Sequence, residues 1–280
     1  MVSIEQALKS AKQQLIEANL LDTPLLDAEL LMAECLNKDR TYLFTWGDRA
    51  LDNEQMACFK KSLTLRLEGR PIAHILGYRE FWGLKLKVTA DTLIPRPDTE
   101  TLIETVLSLT LPHAPSILDM GTGSGAIALA LKSELPESTI TGLDKSNAAL
   151  KVAQENALQL RLNIDFLRSD WFSSIPDNKF DCIVSNPPYI EEQDPHLKLG
   201  DVRFEPISAL TSGQDGLDDI SLIVDKAWHH LNPNGWLVIE HGYNQSVVVS
   251  ELLARKGYHK IQVARDLGDN PRVSLAQKPA

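Results

Sequence analysis

Short apolar runs alternate with helical segments along most of the chain. From residue 98 onward the apolar runs lie at 117–118, 140–143, 164–167, 180–184 and 236–239. Helical segments lie between them, at 124–133, 147–160 and 216–231. This alternation is typical of a parallel sheet with helices on both faces. It predicts a doubly wound α/β domain over residues 93–280.

The first part of the chain follows a different period. Ser3 and Gln6 form a capping-box signature, Pro24 follows Thr23 at a first helical position, and Asp52 begins another helical pattern. These short helices predict a small bundle over residues 1–74. Residues 84–88 then alternate strictly between apolar and basic side chains. We therefore expect a β-hairpin linker over residues 75–92.

The charge is unevenly distributed between these parts. Residues 1–90 carry 12 Lys and Arg and 12 Asp and Glu, so the net charge of −10 falls on residues 91–280. An acidic catalytic part repels a phosphate backbone, because affinity for nucleic acid comes largely from Lys and Arg. We therefore expect no direct nucleic-acid partner.

The spacing of the cysteines and the lengths of the apolar runs bear on disulfides, metal sites and membrane association. The three cysteines, Cys35, Cys58 and Cys182, are far apart and form no CxxC pattern, so we expect neither a disulfide nor a metal site. No apolar run approaches the roughly 18 residues of a membrane span. The N-terminus lacks the pattern of a signal peptide. We expect a cytoplasmic, monomeric protein that does not bind a membrane.

A glycine-rich turn follows the first strand of the α/β part. Residues 117–125 read Ile-Leu-Asp-Met-Gly-Thr-Gly-Ser-Gly, and Asp144 ends the next strand. Glycines allow close approach of a ligand, and a strand-end acid can accept hydrogen bonds from ribose hydroxyls. This pattern also fits a nicotinamide dehydrogenase. Asp119 and the Asp170-Trp171 pair favour a cationic sulfonium cofactor with an adenine ring, S-adenosyl-L-methionine.

Residues 186–189, Asn-Pro-Pro-Tyr, follow the strand at 180–185. Asn186 and the Pro187 carbonyl can accept hydrogen bonds from both N–H groups of a planar NH2 group, and the prolines have no competing N–H. Tyr189 offers a flat face to the same group. These residue types predict methylation of an amide or aromatic amine, with the fixed acceptors aiming the nitrogen lone pair.

With these motifs in this order, the sequence resembles the protein-glutamine methyltransferases of peptide chain release factors (PrmC/HemK type). The resemblance covers essentially the whole chain and includes residues 94–100, 204–206 and 240–242. It implies a class I S-adenosylmethionine-dependent methyltransferase fold with a mixed, mostly parallel seven-stranded sheet. It also implies that the N-terminal helices help to dock the release factor.

The resemblance further implies methylation of the glutamine side chain in the Gly-Gly-Gln motif of release factors, which supports translation termination. The predicted catalytic residues are Asn186, Pro187 and Tyr189, and the predicted substrate-binding set adds Pro188. The predicted cofactor-binding residues come partly from the residue types and partly from the resemblance. They are Asp119, Gly121, Thr122, Gly123, Ser124, Gly125, Asp144, Asp170, Trp171 and Asn186.

Two questions stay open at the level of sequence. Asn-Pro-Pro-Tyr is shared with amino-methyltransferases of DNA and RNA, so methylation of an exocyclic base amine is the alternative function. Arg96 and Glu100 either pair with each other beside the cofactor pocket or contact the substrate directly.

Overall fold

The computed structural model describes residues 2–175 and 177–280. The helices are α1 Ile4–Glu17, α2 Pro24–Leu36, α3 Arg40–Thr45, α4 Asn53–Leu67, α5 Ile72–Leu76, α6 Glu100–Leu107, α7 Ala126–Glu134, α8 Asn147–Leu160, α9 Asp218–His230 and α10 Ser246–Lys256. The strands are β1 Tyr78–Phe81, β2 Leu84–Lys87, β3 Ser116–Met120, β4 Thr139–Asp144, β5 Asp165–Arg168, β6 Phe180–Ser185, β7 Leu231–Glu240, β8 His259–Arg265 and β9 Pro271–Gln277.

The chain forms two compact units. The first contains the residues up to Tyr78 and the segment Lys198–Phe204, and the second contains Arg79–Leu197 and Glu205–Ala280. No helix among the described residues is both long and apolar enough to cross a membrane.

The first unit is the predicted helical bundle. The capping boxes at Ser3 and Asp52 are both formed, and Pro24 is the first residue of α2. Apolar side chains of α1, α2 and α4 make one core, which burial of side chains such as Leu15, Leu31 and Phe59 stabilises. The short helices α3 and α5 were not predicted.

A charged cluster ties the segment Lys198–Phe204 to this unit. The guanidinium of Arg66 donates to Asp27 at 2.7 Å and to Asp201 at 2.9 Å. Arg66 is nearly buried, so both carboxylates offset the cost of removing its charge from water.

The expectation of unpaired cysteines is wrong at two of the three positions. Cys35 in α2 and Cys58 in α4 form a disulfide, with their Cα atoms 5.8 Å apart. Their separation of 23 residues in sequence concealed this pair, because α2 and α4 become neighbours only when the bundle packs. Cys182 is a buried free thiol, as expected.

The second unit is built on a seven-stranded sheet of order β5-β4-β3-β6-β7-β9-β8. β3, β4, β5, β6 and β7 pair in parallel, whereas β9 runs antiparallel to both β7 and β8. Apolar residues of the two sheet faces belong to two separate core clusters, each covered by helices. This confirms the predicted mixed, doubly wound sheet.

The hairpin β1–β2 is also present. Its two-residue loop, Trp82 and Gly83, has φ values of 51° and 68°, which suits the tight turns that match strand twist. Phe81 and Leu86 are buried in the core of the second unit. The Trp82 amide donates to the Glu100 carboxylate at 2.9 Å, which ties the hairpin to α6.

The parallel order brings the carboxyl ends of β3, β4 and β6 together at one edge of the sheet. Ligands of doubly wound sheets bind at this edge. The register aligns Met120 of β3 with Leu143 of β4 and with Ser185 of β6. The glycine-rich turn, Asp144 and the Asn-Pro-Pro-Tyr loop therefore follow these three strands at the same edge.

Candidate functional site

The glycine-rich turn joins β3 to α7. Gly121, Gly123 and Gly125 have φ values of 72°, 56° and 83°, in the left-handed region that residues with a Cβ rarely adopt. The Asp144 carboxylate accepts hydrogen bonds from the backbone amides of Gly123 at 3.0 Å and Ser146 at 2.8 Å. These contacts fix the turn against the end of β4.

A cavity of about 250 Å³ opens beside this turn. Three carboxylate side chains, Asp91, Asp144 and Asp170, contribute to its wall, against the single ammonium of Lys145. This charge favours a cationic ligand and disfavours the pyrophosphate of a dinucleotide. Segments from four parts of the chain complete the wall: Ala90, Thr92, Leu93, Leu143, Ser146, Ala149, Ser169, Pro206, Ser208 and Ala209.

The predicted cofactor residues fall into two groups. Six of them line the cavity: Gly121, Gly123, Asp144, Asp170, Trp171 and Asn186. Asp119, Thr122, Ser124 and Gly125 do not belong to the lining and are buried. Their contacts hold the turn and the start of α7.

Asp119 differs most from the expectation that it faces the cofactor. Its side chain is completely buried, and Oδ2 accepts hydrogen bonds from the Thr122 hydroxyl at 2.6 Å and the Ala128 amide at 3.2 Å. Oδ1 has no hydrogen-bond partner in the described part of the chain. Burial is the main cause that raises the pKa of Asp119 to about 7. The carboxylate therefore braces the turn and the first turn of α7.

Trp171 lines the cavity beside the glycine-rich turn. A Cβ placed on Gly121 would lie 3.8 Å from Cζ3 of the indole, so the edge of the ring lies next to the turn. The indole N–H donates to Asp219 of α9 at 3.0 Å, which fixes the ring orientation. A flat apolar face beside a strand-end acid suits a purine base.

The Asn-Pro-Pro-Tyr loop is held at both ends. The Ser185 hydroxyl donates to the Met120 carbonyl at 2.8 Å, which joins the ends of β6 and β3. The backbone amides of Tyr189 and Ile190 both donate to the Leu210 carbonyl, at 3.2 and 2.9 Å. With the fixed φ of its two prolines, the loop is stiff before any ligand binds.

Asn186 is oriented by a contact from outside this loop. Its side-chain NH2 donates to the hydroxyl of Thr99 at 3.2 Å. With the NH2 engaged, the side-chain carbonyl is the group that remains to accept hydrogen bonds, and Asn186 lines the cavity. This geometry fits the predicted acceptor of a substrate N–H.

Of the other loop residues, Pro188 lines the cavity, whereas Pro187 and Tyr189 do not. The Tyr189 hydroxyl donates to Glu240 Oε1 at 3.4 Å. Burial raises the pKa of Tyr189 well above its usual range, so the phenol stays protonated. Pro187 is buried.

The suggested pair of Arg96 and Glu100 is wrong. The Arg96 guanidinium forms an ion pair with Glu205, and Glu205 also accepts from the Ile94 amide at 2.8 Å. Glu100 accepts from the Trp82 amide instead. Arg96 and Glu100 are four residues apart in sequence, but a turn at Pro97–Thr99 precedes the helix, so they do not share a helical face.

Sequence reasoning missed Thr99, Glu240 as a contact of Tyr189, and the walls formed by residues 90–93 and 206–209. Thr99 and Glu240 lay in segments that the family resemblance had marked, but without a role. Residues 90–93 carry no motif, and only the fold brings them to this edge. No group of three or more His, Cys, Asp or Glu in residues 2–175 and 177–280 could hold a metal ion.

Two family models match the chain. The model of the PrmC N-terminal domain matches residues 6–77, and that of the methyltransferase small domain matches residues 97–205. A release factor glutamine methyltransferase of Vibrio cholerae serotype O1 is 50% identical over 278 residues, covering 99% of this chain and 97% of that protein. The protein of the same name from Escherichia coli K12 is 48% identical over 242 residues, covering 86% and 87%.

Solved structures of methyltransferases share the fold. A methyltransferase from Pyrococcus furiosus superposes with a TM-score of 0.56 at 18% identity, covering 79% of this chain and all of that chain. The 16S rRNA N2 G1207 methyltransferase of Thermus thermophilus, in complex with AdoMet and guanosine, gives a TM-score of 0.50 at 20% identity, covering 72% and 49%. At these identities the similarity shows the fold alone.

Proposed function

The chain belongs to the release factor glutamine methyltransferase family, and we propose that it methylates the side-chain amide nitrogen of the glutamine in the Gly-Gly-Gln motif of peptide chain release factors. The observation that carries the chemistry is the orientation of Asn186. Its NH2 group donates to Thr99 and the residue lines the cavity, so its carbonyl can accept from a substrate N–H.

The cavity residues fit S-adenosyl-L-methionine as the methyl donor. Asp144 can accept hydrogen bonds from ribose hydroxyls, Trp171 can cover the adenine ring, and Asp170 can accept from the adenine amine. The excess of carboxylates over ammonium groups suits a cofactor with a sulfonium and an amino group. When bound, the cofactor supplies a methyl group on a positively charged sulfur.

The Asn-Pro-Pro-Tyr loop compensates for the weak nucleophilicity of an amide nitrogen. The lone pair of that nitrogen is delocalised into the carbonyl, so the nitrogen must be held in line with the methyl group. Asn186 lines the cavity, so its Oδ1 can accept from one of the N–H groups and draw electron density onto nitrogen. Pro187 is buried and stiffens the loop that carries Asn186. The N–CH3 bond forms as the S–CH3 bond breaks, and the nitrogen releases one proton.

We further propose that the helical part, predicted as residues 1–74, docks the release factor, with the hairpin linker at 75–92 and the catalytic domain at 93–280. Phe44 and Trp46 support this role, because they are 68% and 50% exposed on the first unit. Exposed aromatic residues are frequent anchors of protein–protein contacts. We also propose that the protein acts as a monomer and that it acts in the cytoplasm, where translation takes place.

A competition assay tests this function against the nucleic-acid alternative. The protein is incubated with methyl-labelled S-adenosylmethionine and equal amounts of purified release factor, DNA and ribosomal RNA. We expect label on the release factor alone, because residues 91–280 carry the whole net charge of −10. Label on DNA or RNA but not on the release factor would overturn the proposal.

A further inference from the structure

Two walls of the cavity come from segments outside the helices α1–α10 and the strands β1–β9. The first wall is residues 90–93, between β2 and α6, and the second wall is residues 206–209, between β6 and α9. The hydrogen bonds of the seven-stranded sheet therefore do not fix either segment. The separation of the two walls depends instead on the contacts of individual side chains with the backbone.

One carboxylate joins the two walls at their ends. Glu205 directly precedes Pro206 of the second wall, and Ile94 directly follows Leu93 of the first wall. Oε2 of Glu205 accepts from the backbone amide of Ile94 at 2.8 Å, and Oε1 forms an ion pair with the guanidinium of Arg96. The side chain of Glu205 is fully buried, whereas that of Arg96 is 34% exposed. Both carboxylate oxygens are therefore engaged by the segment that follows the first wall.

The second wall is also held at its other end. The carbonyl of Leu210 accepts from the backbone amides of Tyr189 and Ile190, at 3.2 and 2.9 Å. Between the two ends, residues 207–209 form one turn of 3-10 helix. The second wall is therefore a short turn that Glu205 fixes on one side and the Asn-Pro-Pro-Tyr loop fixes on the other.

The buried ion pair of Glu205 and Arg96 does not by itself indicate a role in stability. Moving a carboxylate out of water is costly, and apolar residues of similar volume often stabilise a fold as well as a buried ion pair does. The charged pair has a directional effect that an apolar pair lacks. Charge-assisted hydrogen bonds fix the geometry of both partners, so one carboxylate holds a backbone amide and a guanidinium at set positions.

We propose that Glu205 is a positioning residue that sets the separation of the two cavity walls, and with it the place of the cofactor relative to Asn186. The inference rests on the proposed function, because it assigns to the methyl-transfer site a residue that does not line the cavity. A cavity with its walls already in place binds a ligand without the cost of ordering them. Since the second wall is bonded to the Asn-Pro-Pro-Tyr loop, a shift of this wall also misplaces the acceptor nitrogen relative to the methyl group.

The first unit contains a matched ion pair that serves as a control. The carboxylate of Glu29 in α2 accepts from Nε of Arg40 in α3 at 2.9 Å. The side chain of Glu29 is 3% exposed and that of Arg40 is 46% exposed, close to the values for Glu205 and Arg96. Neither Glu29 nor Arg40 lines the cavity. Removing this pair should therefore change stability without changing the affinity for the cofactor.

The experiment uses the full-length protein and six variants. These are Glu205→Gln, Glu205→Ala, Arg96→Gln, Arg96→Lys, the double variant Arg96→Gln, Glu205→Gln, and the control Glu29→Gln. The Kd values for S-adenosylmethionine and for S-adenosylhomocysteine, which cannot donate a methyl group, are measured by calorimetric titration. The kcat for release factor is measured with labelled methyl groups, and Tm is measured by thermal unfolding.

We expect Glu205→Gln and Arg96→Gln each to raise both Kd values about threefold or more and to lower kcat about tenfold. The double variant should resemble either single variant, because each change breaks the same pair. Arg96→Lys keeps the charge and should lie closer to the wild type. Glu205→Ala should raise Kd about tenfold or more, because the buried amide of Ile94 also loses its acceptor. Glu29→Gln should lower Tm and keep Kd within about twofold of the wild type.

Two results would overturn the inference, and they are distinguishable. If the wild type methylates release factor, and Glu205→Gln loses Tm as Glu29→Gln does but keeps the Kd and kcat of the wild type, the role of Glu205 alone is refuted. A wild type that binds S-adenosylmethionine but places no methyl group on release factor would refute the proposed function, and the inference about methyl transfer with it. If Glu205→Ala does not fold, the glutamine variants decide.

Discussion

At the scale of single residues, Asn186 depends on partners that are distant in sequence. Its NH2 is fixed by Thr99, 87 residues earlier in the chain. The side chain also lines the cavity that fits the cofactor. The residue types of the acceptor loop were predictable from local chemistry, but its anchoring was not, because hydrogen bonds between distant segments leave no periodic signal in a sequence.

The first prediction concerns Asn186. In Asn186→Ala the carbonyl acceptor is lost, and we expect kcat to fall about a hundredfold or more. Cofactor affinity should fall much less, since Asp144, Trp171 and the glycine turn remain. Steady-state kinetics and calorimetric titration with the cofactor measure the two effects. The control Asn163→Ala, at an exposed loop position, should change neither. Equal losses in kcat and affinity would mean that Asn186 serves mainly the cofactor.

The second prediction concerns the buried Asp119. Burial raises its pKa from 3.8 to about 7 in the folded state. Between these two values the unfolded chain ionises first, so this group makes the protein less stable as pH rises. Asp119→Asn removes that dependence. We expect the Tm of Asp119→Asn, measured by thermal unfolding, to increase relative to that of the wild type as the pH is raised from about 4 to about 7.

Asp181 provides a control of opposite sign. Burial opposes its ionisation, but hydrogen bonds from Ser116 and Asn232 outweigh it and lower the pKa of Asp181. Its contribution to stability is present at neutral pH and is lost as pH falls through its folded pKa. The Tm of Asp181→Asn should therefore be lower than that of the wild type at neutral pH. This difference in Tm should become smaller as the pH is lowered. A parallel response of the two variants would contradict both assignments.

At the scale of elements, the five strands and the helices α7, α8 and α9 of the α/β part were predicted, and other elements were not. The segment predicted at 147–160 coincides with α8, and each of the five predicted strands is present. Of the helices that were not predicted, α3 and α5 have six and five residues, too short to show a full amphipathic period. The helices α6 and α10, of eight and eleven residues, were not predicted either. The antiparallel β8 and β9 were expected only through the family's seven-stranded sheet.

The glycine turn allows a test that separates packing from binding. A Cβ on Gly125 would lie 3.1 Å from Leu129 and 3.2 Å from Ala153, at a φ of 83°. Gly123 has a φ of 56°, but its nearest neighbour, the Gly121 carbonyl oxygen, is 4.0 Å away. Both substitutions by alanine carry backbone strain, but only the one at Gly125 also disturbs the contact of α7 with α8.

We therefore expect Gly125→Ala to cost about 2–5 kcal/mol of unfolding free energy, as strain and overpacking add, and Gly123→Ala only about 1–2 kcal/mol. Among the variants that fold, Gly123→Ala should weaken cofactor binding more than Gly125→Ala, because Gly123 lines the cavity and Gly125 does not. Urea denaturation and titration with the cofactor check the two orders. Equal stability losses would show that α7 moves to accommodate the methyl group.

At the scale of the whole molecule, the sequence predicted an acidic catalytic part preceded by a helical part. The structural units differ from the predicted parts: Lys198–Phe204 joins the helical unit, with Asp201 bonded to Arg66, and the hairpin from Arg79 onward belongs to the second unit. Periodicity could not show the place of Lys198–Phe204, because its contact with Arg66 exists only once the bundle has packed. The Cys35–Cys58 disulfide escaped prediction for the same reason, since both depend on the packed bundle.

Docking by the helical unit is tested with its two exposed aromatic residues. In the double variant Phe44→Ser, Trp46→Ser we expect KM for intact release factor to rise about tenfold or more, because aromatic anchors dominate many interfaces. The KM for a short peptide that contains Gly-Gly-Gln should not change. Leu158→Ser, at an 81% exposed position of α8, is the control. A rise in KM for the peptide as large as that for the intact factor would contradict docking.

Identifying the methylated atom tests the proposed glutamine methylation most directly. Release factor treated with the protein and S-adenosylmethionine is digested, and the fragment with the Gly-Gly-Gln motif is sequenced by tandem mass spectrometry. We expect one added methyl group on the side-chain amide nitrogen of that glutamine, and none when Asn186→Ala replaces the wild type. A methyl group on another residue, or an unmodified fragment beside labelled DNA or RNA, would contradict it.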